Sequence, residues 1–96
     1  MKIEFTKNDG VMNVILEGRL DTTTAPQLDD MLSKNLMCVN SLTIDCTNLV
    51  YVSSAGLRVL LSTHKKMKGA MKLTNVGELV MEVFEITGFT DVLVIE

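Results

Sequence analysis

The chain has 96 residues, of which 47% are hydrophobic and 22% charged, and a net charge of −3. This length supports one hydrophobic core and therefore one domain, residues 1–96. The lysines and arginines are scattered rather than clustered into a nucleic-acid footprint. No apolar run approaches the roughly 20 residues of a membrane-spanning helix, and the N-terminus lacks the apolar segment of a signal peptide. We therefore expect a cytoplasmic globular domain that contacts neither nucleic acid nor membrane.

Two cysteines are too few for a disulfide scaffold. Cys38 and Cys46 also lack partners at metal-site spacing. Free cysteine is among the most buried residue types, so we predict that both are reduced core residues.

The N-terminal half predicts two strands and a helix. Residues 2–6 and 11–17 alternate or run apolar like strands, and the intervening Asn8-Asp9-Gly10 is typical of a hairpin turn. In the helix that follows, Thr24 and Gln27 have capping-box spacing and Pro26 lies in the first turn. Apolar side chains then recur at helical intervals, at Ala25, Leu28, Met31, Leu32 and Leu36.

The middle of the chain predicts a buried strand and a second helix. The strand covers residues 42–46, and the helix runs from Ala55 to about Lys68 with Gly69 as its C-cap. Ser54 stands directly before this helix and is predicted to be its N-cap. The apolar face of the helix comprises Leu57, Leu60, Leu61, His64 and Met67.

The C-terminal part predicts a strand at 70–74, a helix at 77–86 ended by Gly88, and a last strand at 92–95. The core face of this third helix comprises Leu79, Val80, Val83 and Phe84. The resulting order, β-β-α-β-α-β-α-β, predicts an α/β fold. In this fold the first two strands form an antiparallel hairpin, so the sheet is mixed. The later strands are parallel and connected by right-handed crossovers, and the helices pack on the sheet.

Three segments resemble one known family. The stretch from Asp45 to Leu61 is similar to the signature segment of the STAS family, specifically its anti-sigma factor antagonists. Gly18-Arg-Leu-Asp21 resembles the G-x-L-D turn of that family, and Phe84-Glu-Ile-Thr-Gly-Phe89 resembles the end of its third helix. The match runs in order from about Met12 to Ile95, and the fold it implies is the STAS-like mixed sheet with helices packed on it.

The resemblance implies a regulatory protein rather than an enzyme. In the family, a partner that is both a serine kinase and an anti-sigma factor phosphorylates the serine that opens the second helix, and a separate serine phosphatase removes the phosphate. By position in the motif that serine is Ser54. The implied domain needs no cofactor, because ATP belongs to the partner. The partner-facing residues that the motif implies are Asp21, Thr22, Ser53, Ser54, Gly56, Leu57 and Arg58.

This sequence departs from the family pattern at two positions. Ser53 replaces the acidic residue that precedes the phosphorylated serine, and Ala55 removes a second hydroxyl. Two alternatives therefore stay open: Ser54 as a plain N-cap in a STAS scaffold that is never phosphorylated, and Asp21 as an ordinary loop carboxylate.

A hydrolase using Ser54 has no support in the sequence. His64, the only histidine, follows Ser54 by ten residues. In a helix this separation is about 15 Å. A serine–histidine pair must be in hydrogen-bond contact to act as a nucleophile and base. The sequence also lacks a nucleophile elbow and a glycine-rich phosphate loop.

Overall fold

A computed structural model describes the whole chain, Met1–Glu96. Its elements in chain order are β1 (Lys2–Asn8), β2 (Val11–Leu20), α1 (Ala25–Asn35), β3 (Ser41–Val52), α2 (Ser54–Lys66), β4 (Met71–Thr74), α3 (Glu78–Thr87) and β5 (Val94–Ile95), with a 3₁₀ turn at Phe89–Asp91 before β5. The predicted order of strands and helices is confirmed.

The sheet keeps the order of the chain, β1-β2-β3-β4-β5. β1 pairs antiparallel with β2, and the other neighbouring pairs are parallel. This is the mixed sheet predicted from the sequence. Because crossovers between parallel neighbouring strands are almost always right-handed, the three helices are expected on one face. The alternation of buried and exposed residues in β2 agrees with this two-layer arrangement.

One core lies between the sheet and the helices and contains 19 buried hydrophobic residues. In β2, Met12, Val14 and Leu16 are fully buried, whereas the alternate residues point away from the helices and are exposed. The helices contribute mainly Leu28 and Leu32 from α1, Leu57 and Leu60 from α2, and Val80 and Phe84 from α3. The opposite face of the sheet is uncovered, as the strict alternation in β2 indicates.

The structure extends three strands beyond their predicted ends, including β1, which continues to Asn8. β2 continues to Leu20, and β3 continues to Val52 rather than ending at Cys46. Two register shifts occur where these strands pair, so β3 carries extra residues opposite the end of β2. Such bulges break the alternation of buried and exposed side chains. The sequence pattern of β3 was therefore lost after Cys46.

The predicted capping box of α1 is wrong. Thr24 is the N-cap, but its side chain makes no capping hydrogen bond. Its hydroxyl instead donates to the carbonyl of Arg19 at 2.6 Å and accepts from the backbone N–H of Asp21 at 2.8 Å. The Thr24 side chain therefore closes the loop that precedes the helix.

The third helix begins one residue later than predicted, after Gly77, and one of its four predicted core residues is exposed. Val80 and Phe84 are buried as expected, but Leu79 is 72% exposed. Adjacent helical residues are separated by about 100°, so Leu79 cannot share the direction of Val80. Leu79 and Ile86 are apolar but lie beside the glutamates of this helix, so hydrophobicity alone did not mark Leu79 as exposed.

Three smaller expectations are also corrected. Helix α2 ends at Lys66 with Met67 as its C-cap rather than Gly69. The last strand is shortened to Val94–Ile95 because the 3₁₀ turn takes up the preceding residues. Cys46 is buried as predicted, but Cys38 is exposed in the loop after α1. No helix is both long enough and apolar enough to cross a membrane.

Candidate functional site

The start of α2 is defined by two adjacent serines with different roles. Ser53 is the N-cap: its backbone is extended (φ −99°, ψ 175°), and its hydroxyl oxygen accepts from the N–H of Gly56 at 3.4 Å. Ser54 is the first helical residue and is exposed. The prediction that Ser54 is the N-cap is therefore wrong by one residue, because the helix begins directly after the last extended residue, Ser53.

Glycine 56 lets α2 approach the end of β2. A Cβ at Gly56 would lie 2.7 Å from Cγ of Leu20 and 2.9 Å from its carbonyl oxygen. That carbonyl accepts from the N–H of Ser53 at 2.8 Å. Leu20 directly precedes Asp21, so these contacts hold the start of α2 next to the Asp21 turn. The start of α2 and the Asp21 turn therefore lie at the same edge of the sheet.

Asp21 forms a compact turn after β2. Its Oδ1 accepts from the N–H groups of Thr23 at 3.0 Å and Thr24 at 3.1 Å, and from the Thr24 hydroxyl at 3.2 Å. These bonds, led by the one from the Thr24 N–H and helped by the nearby Arg19 charge, hold the pKa of Asp21 below its usual value. Asp21 is therefore ionised at neutral pH and has the structural role of a loop carboxylate.

Arg19 and Tyr51 were missed as members of this surface. They are paired across β2 and β3, and Cζ of Arg19 lies 4.1 Å from the centre of the Tyr51 ring, a cation–π distance. Nε of Arg19 is also 3.8 Å from Oδ2 of Asp21. Arg19 belongs to the G-x-L-D segment. Its pairing with Tyr51 could not be predicted, because β3 was expected to end at Cys46, before Tyr51.

A known protein family matches almost the whole chain. The sequence profile described as "STAS domain" matches residues 2–96. The chain belongs to the STAS domain family.

Curated relatives of this STAS domain have regulatory descriptions. A protein described as a candidate anti-sigma factor antagonist, BtrV of Bordetella bronchiseptica, is 34% identical over 96% of this chain and 83% of its own length. The anti-sigma-B factor antagonist of Bacillus subtilis is 30% identical over 97% of this chain and 88% of its own length.

Solved structures share the fold. An anti-sigma factor antagonist from Mycobacterium paratuberculosis superposes with a TM-score of 0.86 at 23% identity, covering 98% of this chain and 83% of its own. The Bacillus cell fate determinant SpoIIAA in its phosphorylated form gives a TM-score of 0.75 at 16% identity, covering 99% of this chain and 91% of its own. At these identities the likeness establishes the architecture of the STAS domain.

The STAS domain brings the sequence-predicted site residues to one edge but exposes them unequally. Thr22, Ser54 and Arg58 are exposed, and Asp21 and Ser53 are half-buried. Gly56 and Leu57 are buried, with Leu57 only 6% exposed. Gly56 and Leu57 therefore pack the first turn of α2 against the rest of the domain and do not present side chains to a partner.

Two other polar residues of the STAS domain have local roles. Oδ1 of Asp45 accepts from the N–H and hydroxyl of Thr47 and from the Asn75 side chain. These bonds, that from the Thr47 hydroxyl above all, lower the pKa of Asp45. His64 is half-buried near the far end of α2, about 15 Å along the axis from Ser54. Ser54 and His64 therefore do not form a nucleophile–base pair.

Proposed function

We propose that this STAS domain is an anti-sigma factor antagonist controlled by phosphorylation of Ser54. Unphosphorylated, it binds an anti-sigma factor with serine kinase activity and so regulates transcription by the corresponding sigma factor. Phosphorylated, it is released. The descriptions of relatives at 34% and 30% identity support the class of function, and the position of Ser54 supports the site of control.

The observation that carries the proposal is that the two serines have different structural roles. Ser53 is the N-cap of α2, so the Ser54 hydroxyl is not needed for capping. No side-chain hydrogen bond within the chain involves the Ser54 hydroxyl. Ser54 is also exposed in the first turn, where the positive end of the helix dipole favours an anion. A kinase can therefore modify Ser54 without dismantling the cap.

The switch is electrostatic. A phosphate adds about −1.5 to −2 charges at neutral pH. These charges arrive within the proposed contact surface, which also includes the Asp21 turn and Arg58. A partner surface that accepts a neutral serine there must desolvate or repel the phosphate, so affinity falls without refolding of the domain.

The missing acidic residue of the family pattern is compatible with this proposal. Aspartate and serine are both strong N-caps, and Ser53 provides the capping oxygen that an acidic residue would provide. The substitution removes a negative charge next to Ser54 but keeps the helix start in place.

The remaining parts of the proposed cycle lie outside this chain. ATP is bound by the partner kinase, and a separate serine phosphatase restores Ser54. The STAS domain itself catalyses no step and acts in the cytoplasm. Its exposed contact residues are Thr22, Ser54 and Arg58, next to the half-buried Asp21 and Ser53.

The direct test is incubation of the purified chain with a candidate serine-kinase anti-sigma factor and ATP, followed by intact-mass measurement. We expect the addition of one phosphate, mapped to Ser54 in the parent and in Ser53→Ala. Ser54→Ala should remain unmodified while still binding the kinase. Phosphate on Ser53 in the parent would reverse the assigned roles of the two serines.

A second candidate function is a STAS scaffold that binds a partner but is never phosphorylated. The observation that favours it is Ser53 in place of the family's acidic residue, because a kinase that reads this charge would not recognise the site. Binding of the anti-sigma factor without phosphate transfer, in the presence of ATP, would identify this case.

A further inference from the structure

The charges of the chain are divided unevenly along its length. Residues 73–96 contain no lysine, arginine or histidine and carry five carboxylate side chains. The remaining 72 residues therefore have a net charge of +2 although the whole chain has −3. Three of these five carboxylates lie on α3, at Glu78, Glu82 and Glu85, so the negative charge of this segment is concentrated on one helix.

Helix α3 has an outer face on which acidic and apolar side chains form two adjacent stripes. Glu78, Glu82 and Glu85 follow i, i+4, i+7 spacing and are exposed. At about 100° per residue, Leu79 and Ile86 lie together on one flank of this acidic stripe. They are 72% and 85% exposed, whereas the opposite side of the helix is buried. This face is amphipathic and has no partner within the chain.

The three glutamates are also unpaired. The ion pairs within the chain involve other carboxylates, at Glu4, Asp21, Asp30 and Glu96. Like charges three or four residues apart destabilise a helix, and a negative charge near the C-terminal end, as at Glu85, opposes the helix dipole. Glu78, in the first turn, is favoured by the helix dipole. The stability cost of the acidic stripe therefore falls on Glu82 and Glu85, which no ion pair within the chain offsets.

A shallow, open groove lies on each side of α3, one mainly apolar and the other acidic. One groove is mainly apolar and is lined by Leu49, Val50, Leu79 and Val80 with the start of α3. The other is lined by the three glutamates with Val76 and Met81. Val50 is 59% exposed, so the apolar stripe extends from α3 onto the end of β3.

We propose that the outer face of α3 is a docking surface for a basic amphipathic helix of another protein. Its lysine or arginine side chains would pair with Glu78, Glu82 and Glu85, and its apolar side chains would cover Leu79 and Ile86. Charge complementarity selects this occupant, because an acidic segment or an anionic lipid surface would be repelled. An apolar stripe beside the charges fits the groove-binding mode of helical segments.

This surface consists of residues other than those at the start of α2, and it does not depend on the proposed phosphorylation. The Ser54 site is reached from the edge where β2 and β3 end, and no residue of α3 is needed for its cap or for the Asp21 turn. The two surfaces can therefore be tested one at a time.

The test uses the full chain labelled with ¹⁵N and two synthetic amphipathic helices. One peptide contains lysine and leucine, and its matched control has glutamate at every lysine position. At low salt we expect the lysine peptide to shift amide resonances of α3 and of Val50, with little change at Ser54. The glutamate peptide should leave these resonances unchanged, and added salt should weaken the interaction of the lysine peptide.

Two variants make the result specific. Glu78→Gln/Glu82→Gln/Glu85→Gln keeps the shape of the face and removes its charge, so binding of the lysine peptide should weaken at least about tenfold. Removing like charges favours the helix, whereas losing the Glu78 charge at its start does not. This variant should therefore melt close to the parent. Leu79→Ser/Ile86→Ser should also weaken binding, and as a control Val92→Ser alters an exposed apolar residue outside α3 and should not.

Three outcomes would overturn the proposal. One is a shift pattern centred away from α3, for example on the uncovered face of the sheet. Another is equal binding of the lysine and glutamate peptides. The third is concentration-dependent shifts of α3 in the free protein that the lysine peptide does not displace, which would make a second copy of the chain the occupant.

Discussion

The backbone carbonyl of Leu20 occupies the space that a side chain at Gly56 would need. A Cβ at Gly56 would lie 2.9 Å from that oxygen and 2.7 Å from Cγ of the same leucine. The contact joins the last residue of β2 to the first turn of α2. It therefore holds the Asp21 turn beside Ser53 and Ser54.

Replacing Gly56 with alanine tests this contact. A clash with a backbone atom cannot be relieved by a rotamer change, so we expect an overpacking cost of about 3 kcal/mol. This exceeds the roughly 1 kcal/mol that alanine gains over glycine inside a helix. Urea unfolding should show a net loss near 2 kcal/mol. The control Ser62→Ala, at an exposed position of α2, should be neutral or stabilising; a stable Gly56→Ala protein would mean that α2 can move away from β2.

The two serines should differ in their effect on stability. Ser53→Ala removes the capping oxygen and should cost about 0.5–2 kcal/mol. Ser54→Ala removes an exposed hydroxyl that accepts no capping bond and should change stability by less than about 0.5 kcal/mol. Melting midpoints of the two variants check this order. The reverse order would show that Ser54 is the cap in solution.

Two leucines test how the core was identified. Leu60 is 1% exposed, and Leu60→Ala should cost about 2–5 kcal/mol. Leu79, assigned to the core from the sequence, is 72% exposed, and Leu79→Ala should stay within about 0.5 kcal/mol of the parent. Denaturant unfolding of both variants makes the comparison. A large loss for Leu79→Ala would restore the rotation of α3 that the sequence pattern favoured.

The contrast between Leu60 and Leu79 shows what the sequence could determine. In α2, the predicted apolar face includes Leu57 and Leu60, and both are buried. The pattern misses the polar Thr63, which is also buried, and Leu61 of the predicted face is only half-buried. In α3, apolar residues occur on several sides of the helix, because Leu79 and Ile86 are exposed. Hydrophobicity alone then cannot tell a core side chain from an uncovered one.

The candidate site was also predictable only in part. The positions of Asp21 and Ser54 at one edge follow from the topology, since the ends of parallel strands meet there. The cap itself was misplaced because two adjacent serines have equal capping propensity, and only the backbone angles of Ser53 separate them. The Arg19–Tyr51 contact depends on bulges in β3. These bulges shift the register between β2 and β3, and the hydrophobic periodicity of the sequence does not reveal such a shift.

The cysteines give a prediction for pH and reactivity. Burial, with a smaller effect of the Asp45 charge, raises the pKa of the Cys46 thiol from 9.0 to about 12. An alkylating reagent at mildly alkaline pH should therefore modify the exposed Cys38 once, and Cys46 only after unfolding. Mass spectrometry with and without denaturant distinguishes the two, and rapid double modification of the folded protein would contradict the burial of Cys46.

The same pKa shift has a definite sign for stability. The folded pKa of Cys46 lies above the unfolded value, so the contribution of the neutral thiol is complete below pH 9.0 and is lost as the pH rises toward 12. In Cys46→Ala, stability should fall less over this range than in the parent. An equal fall in both proteins would assign the alkaline loss to other groups.

The last prediction concerns the charge at Ser54. Ser54→Asp leaves the Ser53 cap intact and places a carboxylate in the first turn, where the helix dipole is favourable. Its melting midpoint should therefore equal or slightly exceed that of the parent. Its affinity for the anti-sigma partner should nevertheless fall by at least about tenfold, because a negative charge lies within the proposed contact surface. Ser54→Ala, which adds no charge, should keep most of the parent's affinity.

A charge placed elsewhere separates this local effect from a general one. Ser33→Asp adds the same charge at an exposed position of α1 and should bind the partner like the parent. Titration calorimetry of the variants with one preparation of the partner gives the comparison. If Ser54→Asp and Ser33→Asp bind equally well, charge at the start of α2 does not control binding. Ser54 would then be a surface residue beside the cap, and the STAS domain would act as the unphosphorylated scaffold.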